Sequence, residues 1–381
     1  MTARWCQLNN VPEEKDLHRG LDFRLPQYRR EVFLRFYEFH LKHRAHPGAV
    51  YYALPWLANY YNLDLEDKLW MAFINGCSQH IVTTSIIFER FPKFKDIKIE
   101  ELTDWWQDNH MNFKAGSGWD SDRKYFKIGK TGFSNCVAKY KTLVDKFGSQ
   151  VNMFESLNNT GDVYKNFENT WGYVRSNFLT FGRLSTFSYL EYLRIQGLPI
   201  DCNSLFLDDI DGSKSHRNGL CKVLGRDDLD WWETKASGND KFEGYSKETI
   251  DWLTEEGDQL FSEAKQRIVH NDVSYFTLES TLCCYKSWHR PDRRYPNVYN
   301  DMFYNRIKYS ESVWGNKFDH FWKMREDCLP KNLRLESNLA DPGYGKRKQN
   351  HYRLTGQVIM MDQDWDCFAN NFNDGIELLG E

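Results

Sequence analysis

Apolar residues recur at three- and four-residue spacing along most of this chain, a period that points to helices and leaves little room for sheet. Over residues 27–43 the repeat is carried by Val32, Phe33, Phe36, Tyr37 and Phe39, with Pro47-Gly48 as the stop. Leu65, Leu69, Trp70, Phe73 and Ile74 form a second stripe that ends near Gly76. Helices are also expected over 80–90, closed by Pro92, over 100–108, over 134–147 with Ser134 as N-cap, over 162–174 and over 183–196. A short one follows over 215–224, and Ser246 opens a long amphipathic helix carrying Ile250, Leu253, Leu260, Phe261, Ala264 and Ile268. The last three are expected over 274–288, 297–313 and 318–328, while 111–133, rich in Gly, Ser and Lys, reads as a loop. Alternating strand patterns are few. The expected fold class is therefore mainly α, a multi-helical body over 1–336 with few strands. An aperiodic polar segment over 337–381 is expected to pack on that body.

A chain of 381 residues can bury a large core, and 16% aromatic residues, from 26 Phe, 21 Tyr and 14 Trp, supply it. Part of that excess could serve as a stacking surface for bases. The formal charge of −4 excludes a polycation, so any contact with DNA must come from local patches. Candidates are the run from His40 to His46, the run from Arg290 to Arg294, and Lys346-Arg347-Lys348. The nine cysteines are scattered, odd in number and free of any Cys-x-x-Cys pair, which argues for reduced thiols rather than a disulfide framework or a zinc ribbon. Met1-Thr2-Ala3-Arg4-Trp5 lacks an apolar signal core, and no apolar run approaches about 18 residues. A cytoplasmic protein without a membrane partner is expected.

Three familiar motifs are only imitated. Gly129-Lys130-Thr131 ends like a phosphate-binding loop, but position 124, where a glycine must let the backbone wrap the phosphates, is Lys. Asp209-x-Asp211-Gly212 resembles part of a calcium loop whose first and last ligand positions would be Leu207 and Asn218. His40, His43 and His46 are spaced by three, but a basic helix end explains them without a metal, and no metal site is expected.

Two segments crowd chemistry together. The first runs Asp208-Asp209-Ile210-Asp211-Gly212-Ser213-Lys214-Ser215-His216-Arg217-Asn218-Gly219. An Asp-rich turn with a helix cap would account for Asp211 to Ser215, but not for His216, Arg217 and Asn218. Free N–H groups at that helix start, with Ser213, Ser215 and Arg217, could hold a phosphate, and the acids could hold an amine or a divalent ion. The second runs from Ser274 to Lys286 and is followed by Arg293-Arg294-Tyr295. On a helix Glu279, Cys283 and Lys286 form one polar line, suited to a general base beside an anion clamp. The bland alternative is a surface Glu–Lys ladder worth a few tenths of about 1 kcal/mol, which the surrounding Tyr275, Phe276, Leu278, Leu282 and Tyr285 argue against.

These stretches, together with Arg29-Arg30-Glu31-Val32-Phe33, Asn75-Gly76, Phe181-Gly182-Arg183-Leu184-Ser185 and Tyr189-Leu190-Glu191, resemble the amino acid:DNA transferases of bacterial viruses. That family is also called α-glutamyl/putrescinyl thymine pyrophosphorylases. It neighbours the helical part of hydroxymethyl-uracil DNA kinases, and a distant likeness to helical DNA glycosylases is expected. The resemblance implies double-stranded DNA carrying a modified thymine as one substrate. A pyrophosphorylated hydroxymethyl-uracil would lose pyrophosphate to an amine or hydroxyl of an amino acid or polyamine. Placed on that reaction, Glu279 is expected as base, with Lys286 and His216 also at the chemistry. Arg183, Asp209, Asp211, Ser213, Ser215, Arg217, Asn218, Arg293, Arg294 and Tyr295 are expected to hold pyrophosphate, DNA or the nucleophile. Magnesium on the pyrophosphate is compatible with the reaction, though no residue pattern demands a cofactor. Two other readings stay open, a glycosylase-like enzyme with Lys286 as nucleophile and a non-catalytic DNA-binding accessory subunit.

Overall fold

The structure is a computed structural model that describes residues 26–42, 50–113, 132–230, 244–286 and 303–328. Among them are fourteen α-helices and no strand. In chain order these are α1 (Arg29–Lys42), α2 (Val50–Tyr60), α3 (Leu65–Ser78), α4 (Ile81–Arg90), α5 (Ile99–Asn109), α6 (Gly132–Val144) and α7 (Gln150–Leu157). They continue as α8 (Val163–Asn177), α9 (Arg183–Ile195), α10 (Lys214–Val223), α11 (Lys247–Arg267), α12 (Tyr275–Tyr285), α13 (Phe303–Trp314) and α14 (Asp319–Cys328). The mainly helical class is the observed one. No described helix is long and apolar enough to cross a membrane. The expected C-terminal segment 337–381, the basic run at 346–348 and the 290–295 cluster lie outside the described residues.

Caps set many of the boundaries. Asp162 accepts from the N–H groups of Tyr164 and Lys165, and Ser246 accepts from Thr249, so α8 and α11 begin where capping side chains place them. Ser134, expected as a cap, instead lies buried inside α6, which starts two residues earlier. Two helices escaped the periodicity. The first, α2, runs through Pro55, whose missing N–H marks a break in most sequences. The second, α7, spans only 8 residues behind its Ser149 cap.

The helices enclose two hydrophobic cores. The larger is aromatic, built around Trp70, Phe73, Trp106, Tyr140, Phe178 and Tyr189. Phe73 lies against Tyr140 with ring centroids 3.9 Å apart and planes 7° from parallel. The smaller joins α1, α10, α11 and α12 through Phe33, Tyr37, Leu220, Leu253, Leu260 and Leu282. One helix, α12, serves both, since Phe276 enters the first core while Leu278, Leu282 and Tyr285 enter the second.

The tightest joint is between α10 and α12. A Cβ placed on Gly219 would stand 2.1 Å from the Leu282 carbonyl oxygen and 2.6 Å from its carbon, so only a residue without a side chain fits there. The obstacle is backbone, which cannot rotate away. Gly219→Ala is expected to lower unfolding stability by about 3 kcal/mol, the scale of overpacking against a rigid neighbour. A denaturant midpoint indistinguishable from that of the unmodified protein would show that the two helices are not held this close.

Candidate functional site

The α10–α12 joint sets the register of the polar side chains on both helices. Ser215 and His216 of α10 face Glu279, Cys283 and Lys286 of α12, and Arg183, the first residue of α9, closes the third side. The site therefore lies where the two cores meet, with α12 as their common wall.

Glu279 is at its centre. His216 Nδ1 stands 3.0 Å from Glu279 Oε1, an ion pair in which the ring N–H is not aimed at the oxygen. Arg183 Nη1 donates to the same oxygen at 3.3 Å. No hydrogen bond from a described residue reaches Oε2. Burial by itself would push this carboxyl up, but the positive charges of His216 and Arg183 outweigh it and hold Glu279 down at about 2. Glu279 is thus paired with His216 and Arg183, and the Glu–Lys ladder considered from the sequence is not formed.

Arg183 is 93% buried as a residue, with its guanidinium over the Phe187 ring at 5.1 Å. Its Nε is 3.6 Å from Asp209 Oδ2, too long for a hydrogen bond, and both Nε and Nη2 lack a hydrogen-bond partner among the described residues. Buried donors left open in this way are costly unless a ligand fills them.

The Asp-rich segment has a different role from the one its composition suggests. Arg217 is buried and donates to the carbonyls of Leu207 (3.1 Å) and Ile210 (2.6 Å), and its guanidinium stacks 4.5 Å from the Tyr245 ring centroid. Ser213 donates to the Phe206 carbonyl at 2.6 Å. His216 places Nε2 2.8 Å from the Leu205 carbonyl, which can only accept, so Nε2 carries a hydrogen. These three side chains strap the 205–213 loop onto α10. Ser213 and the two Nη groups of Arg217 are thus engaged with backbone carbonyls, while Arg217 Nε has no hydrogen-bond partner among the described residues. His216, also fully buried, meets Glu279 with its other ring nitrogen. Asp209, fixed by the Gly212 N–H at 2.9 Å, points to Arg183, while Asp211 is 95% exposed and 3.1 Å from Lys214. Asn218 is buried with its Oδ1 unpartnered among the described residues. Ser215 turns to Cys283 and Lys286. Arg293, Arg294 and Tyr295 lie outside the described residues.

One carboxyl was given no role from the sequence. Glu191, two turns beyond Arg183 on α9, is buried and accepts from Tyr51 Oη at 2.6 Å. Burial, reinforced by the charge of Glu279, pushes it up to about 8. The signal lay in the spacing of Arg183, Phe187, Glu191 and Arg194 on one helical face.

The two carboxyls should leave opposite marks on stability. Glu279 stays ionised in the folded protein below the unfolded value of 4.5, so its contribution is present above that pH and disappears as pH falls through about 2. Glu191 keeps its proton when folded up to about 8, so its contribution is complete below 4.5 and fades as pH rises toward 8. Glu279→Gln is expected to flatten the acid limb of a stability–pH curve, and Glu191→Gln to flatten the limb from pH 4.5 to 8. Unchanged limbs in denaturant titrations across pH would refute this arrangement of charge.

Comparison with known proteins adds the family. A model described as amino acid:DNA transferase matches residues 49–294, a span that contains Arg183, Glu191, Asp209, His216, Glu279 and Lys286. A serinyltransferase of Salmonella phage ViI is 28% identical over 307 residues, covering 77% of this chain and 71% of that protein. No solved structure matches. With a joined pair of helices presenting a buried carboxylate and an open guanidinium, and with the family model spanning well over half its length, the chain belongs to the amino acid:DNA transferase family.

Proposed function

We propose that this chain displaces pyrophosphate from pyrophosphorylated 5-hydroxymethyl-uracil in double-stranded DNA, joining an amino acid or polyamine to the methylene carbon. Serine is the first nucleophile to test, because the phage ViI relative is named a serinyltransferase. The observation that carries the reading is the pairing of Arg183, with two buried donors unfilled, and Glu279, with one oxygen free. A departing dianionic group needs fixed positive donors, and an attacking amine or hydroxyl needs an acceptor for its proton.

In this reading Arg183 takes pyrophosphate oxygens on Nε and Nη2, at the start of α10, whose cap Ser213 makes no side-chain bond to the first-turn N–H groups. Glu279 Oε2 receives the nucleophile's proton, Asp209 stands beside Arg183 Nε and orients the guanidinium, and Asp211 offers a carboxylate to the ammonium of the incoming amino acid. Arg293, Arg294 and Tyr295 are assigned to the DNA backbone. Magnesium enters only as a counter-ion of pyrophosphate, part of the substrate. The methylene projects into the major groove, so reach alone does not require the base to leave the stack.

Nucleoside mass spectrometry tests this directly. DNA carrying the pyrophosphorylated base, incubated with serine, other amino acids and putrescine, should yield an amino-acid-substituted thymine together with free pyrophosphate. Unchanged DNA, or release of the free base, would overturn the reading. Glu279→Gln should lower the turnover rate by about 10²–10⁴, with a circular-dichroism spectrum that remains helical. Charge reversal at Arg293 and Arg294 should weaken DNA binding at low salt and shallow its salt dependence, since the net-acidic chain has only local patches to offer. Binding isotherms at two salt concentrations that do not change would remove those arginines from the interface.

A further inference from the structure

Beside Glu279, one turn further along α12, lies a second cluster that the displacement reading above leaves without a role. Cys283 Sγ is 2.7 Å from Ser215 Oγ and 3.5 Å from Lys286 Nζ, and Lys286 also donates to Ser215. Of the seven described cysteines, all free thiols, six are buried and Cys283 alone is partly exposed. Lys286 is itself more than nine-tenths buried, yet no carboxylate of the described residues pairs with it. A buried ammonium without a counter-charge is unfavourable. Its only described partners are a hydroxyl and a sulfur. Because Nζ donates to both, Ser215 is free to donate its own hydrogen to Sγ, and the sulfur then accepts from two sides. The sulfur is thus held between an ammonium and a hydroxyl, donors that stabilise negative charge developing on sulfur during a reaction.

Resting on the displacement reaction above, we propose that Cys283 is a covalent catalyst in it, adding through sulfur to C6 of the pyrimidine. The thiolate electron pair forms the S–C6 bond, and the C5–C6 π pair moves onto O4 as an enolate. The enolate returns its pair to form an exocyclic double bond from C5 to the methylene carbon, breaking the C–O bond so that pyrophosphate leaves with its electrons. The amine or hydroxyl then adds to that methylene, regenerating the enolate and giving its proton to Glu279. Collapse of the enolate restores the C5–C6 double bond and expels the thiolate. The net change is one nucleophile and one pyrophosphoryl ester converted to one substituted methylene, pyrophosphate and a proton. Glu279 and Cys283 are four residues apart on one helical face, about 6 Å along the axis. A uracil ring lying along that face can present its methylene to one and C6 to the other. Lys286 and Ser215 are positioning residues that hold the sulfur.

Single-turnover kinetics on full-length protein with pyrophosphorylated DNA, natural and deuterated at C6, test this. Addition at C6 turns that carbon from planar to tetrahedral, so the deuterated substrate should react slightly faster. A protein–DNA adduct stable to denaturation should accumulate when the amino acid is withheld, with the cross-link mapped to the peptide holding Cys283. Cys283→Ala should abolish the adduct and slow turnover by about 10³ or more, with a melting temperature close to that of the unmodified protein. Cys283→Ser, which keeps a polar contact with Lys286, should be equally slow, which a merely structural cysteine would not require. Turnover by the unmodified protein without isotope effect or adduct, and undiminished in Cys283→Ala, would mean direct displacement, ending this proposal while sparing the displacement reaction itself. No turnover of the pyrophosphorylated DNA by the unmodified protein would remove both.

Discussion

Everything at the site depends on how closely α10 can approach α12. Helices ordinarily pack 8–10 Å apart because side chains separate them. Here Gly219 removes the separating side chain and lets α10 rest on the Leu282 carbonyl. Residues 215 and 216 then sit near the neighbouring helix rather than one side chain away from it. The register follows from that contact. Gly219 lies one turn beyond Ser215, and Leu282 is flanked by Cys283 and, one turn back, Glu279. A larger residue at 219 would separate Ser215 from Cys283 and His216 from Glu279 together.

The second constraint is electrostatic. Asp209, Arg183, Glu279 and His216 form a chain of alternating charge, three of whose members are buried. Such a network costs desolvation energy that an apolar core would not, and pairing alone is weak evidence for stability. It does fix polarity in a region of low dielectric, where oriented charge acts strongly on whatever binds. The loop beneath it is held by Ser213, His216 and Arg217 through backbone carbonyls, so Asp209 needs no reorganisation to meet Arg183. Glu191 lies close enough to feel the charge of Glu279 and is driven the opposite way, to about 8 against about 2. Two carboxyls with such different proton affinities are the pattern expected where proton transfer matters.

Helical period made the fold legible because amphipathic stripes in α1, α3, α11 and α12 are long and uninterrupted, and because Asp162, Ser246 and Ser274 advertise helix starts. It failed at α2, where Pro55 masks the period, and at α6, where Ser134 looked like a cap but packs inward. The site was legible in part. Glu279 and Lys286 stood out as polar residues on an otherwise apolar helix, and Arg183 through the family-like stretch around it. What composition could not show was how donors are spent. Arg217 and His216 look like ligands in a sequence, yet both Nη groups of the first bond loop carbonyls and the second is buried between the Leu205 carbonyl and Glu279. Pairing across helices, such as Glu191 with Tyr51 over 140 positions, leaves no local trace at all.

The low proton affinity of Glu279 bears on how its reaction must run. A carboxylate held at about 2 is a weak base and cannot take a proton from a free ammonium or hydroxyl in advance of attack. Direct displacement at a saturated carbon asks more of the base, because the nucleophile must already be strong. A conjugated exocyclic methylene is a far better electrophile and accepts a neutral amine or hydroxyl. An adding hydroxyl oxygen becomes strongly acidic only as its bond to carbon forms, and at that stage even a weak carboxylate suffices as acceptor. In the proposed mechanism a thiol that generates the electrophile and a carboxylate that receives a late proton are therefore complementary. The same face of α12 carries both, four residues apart.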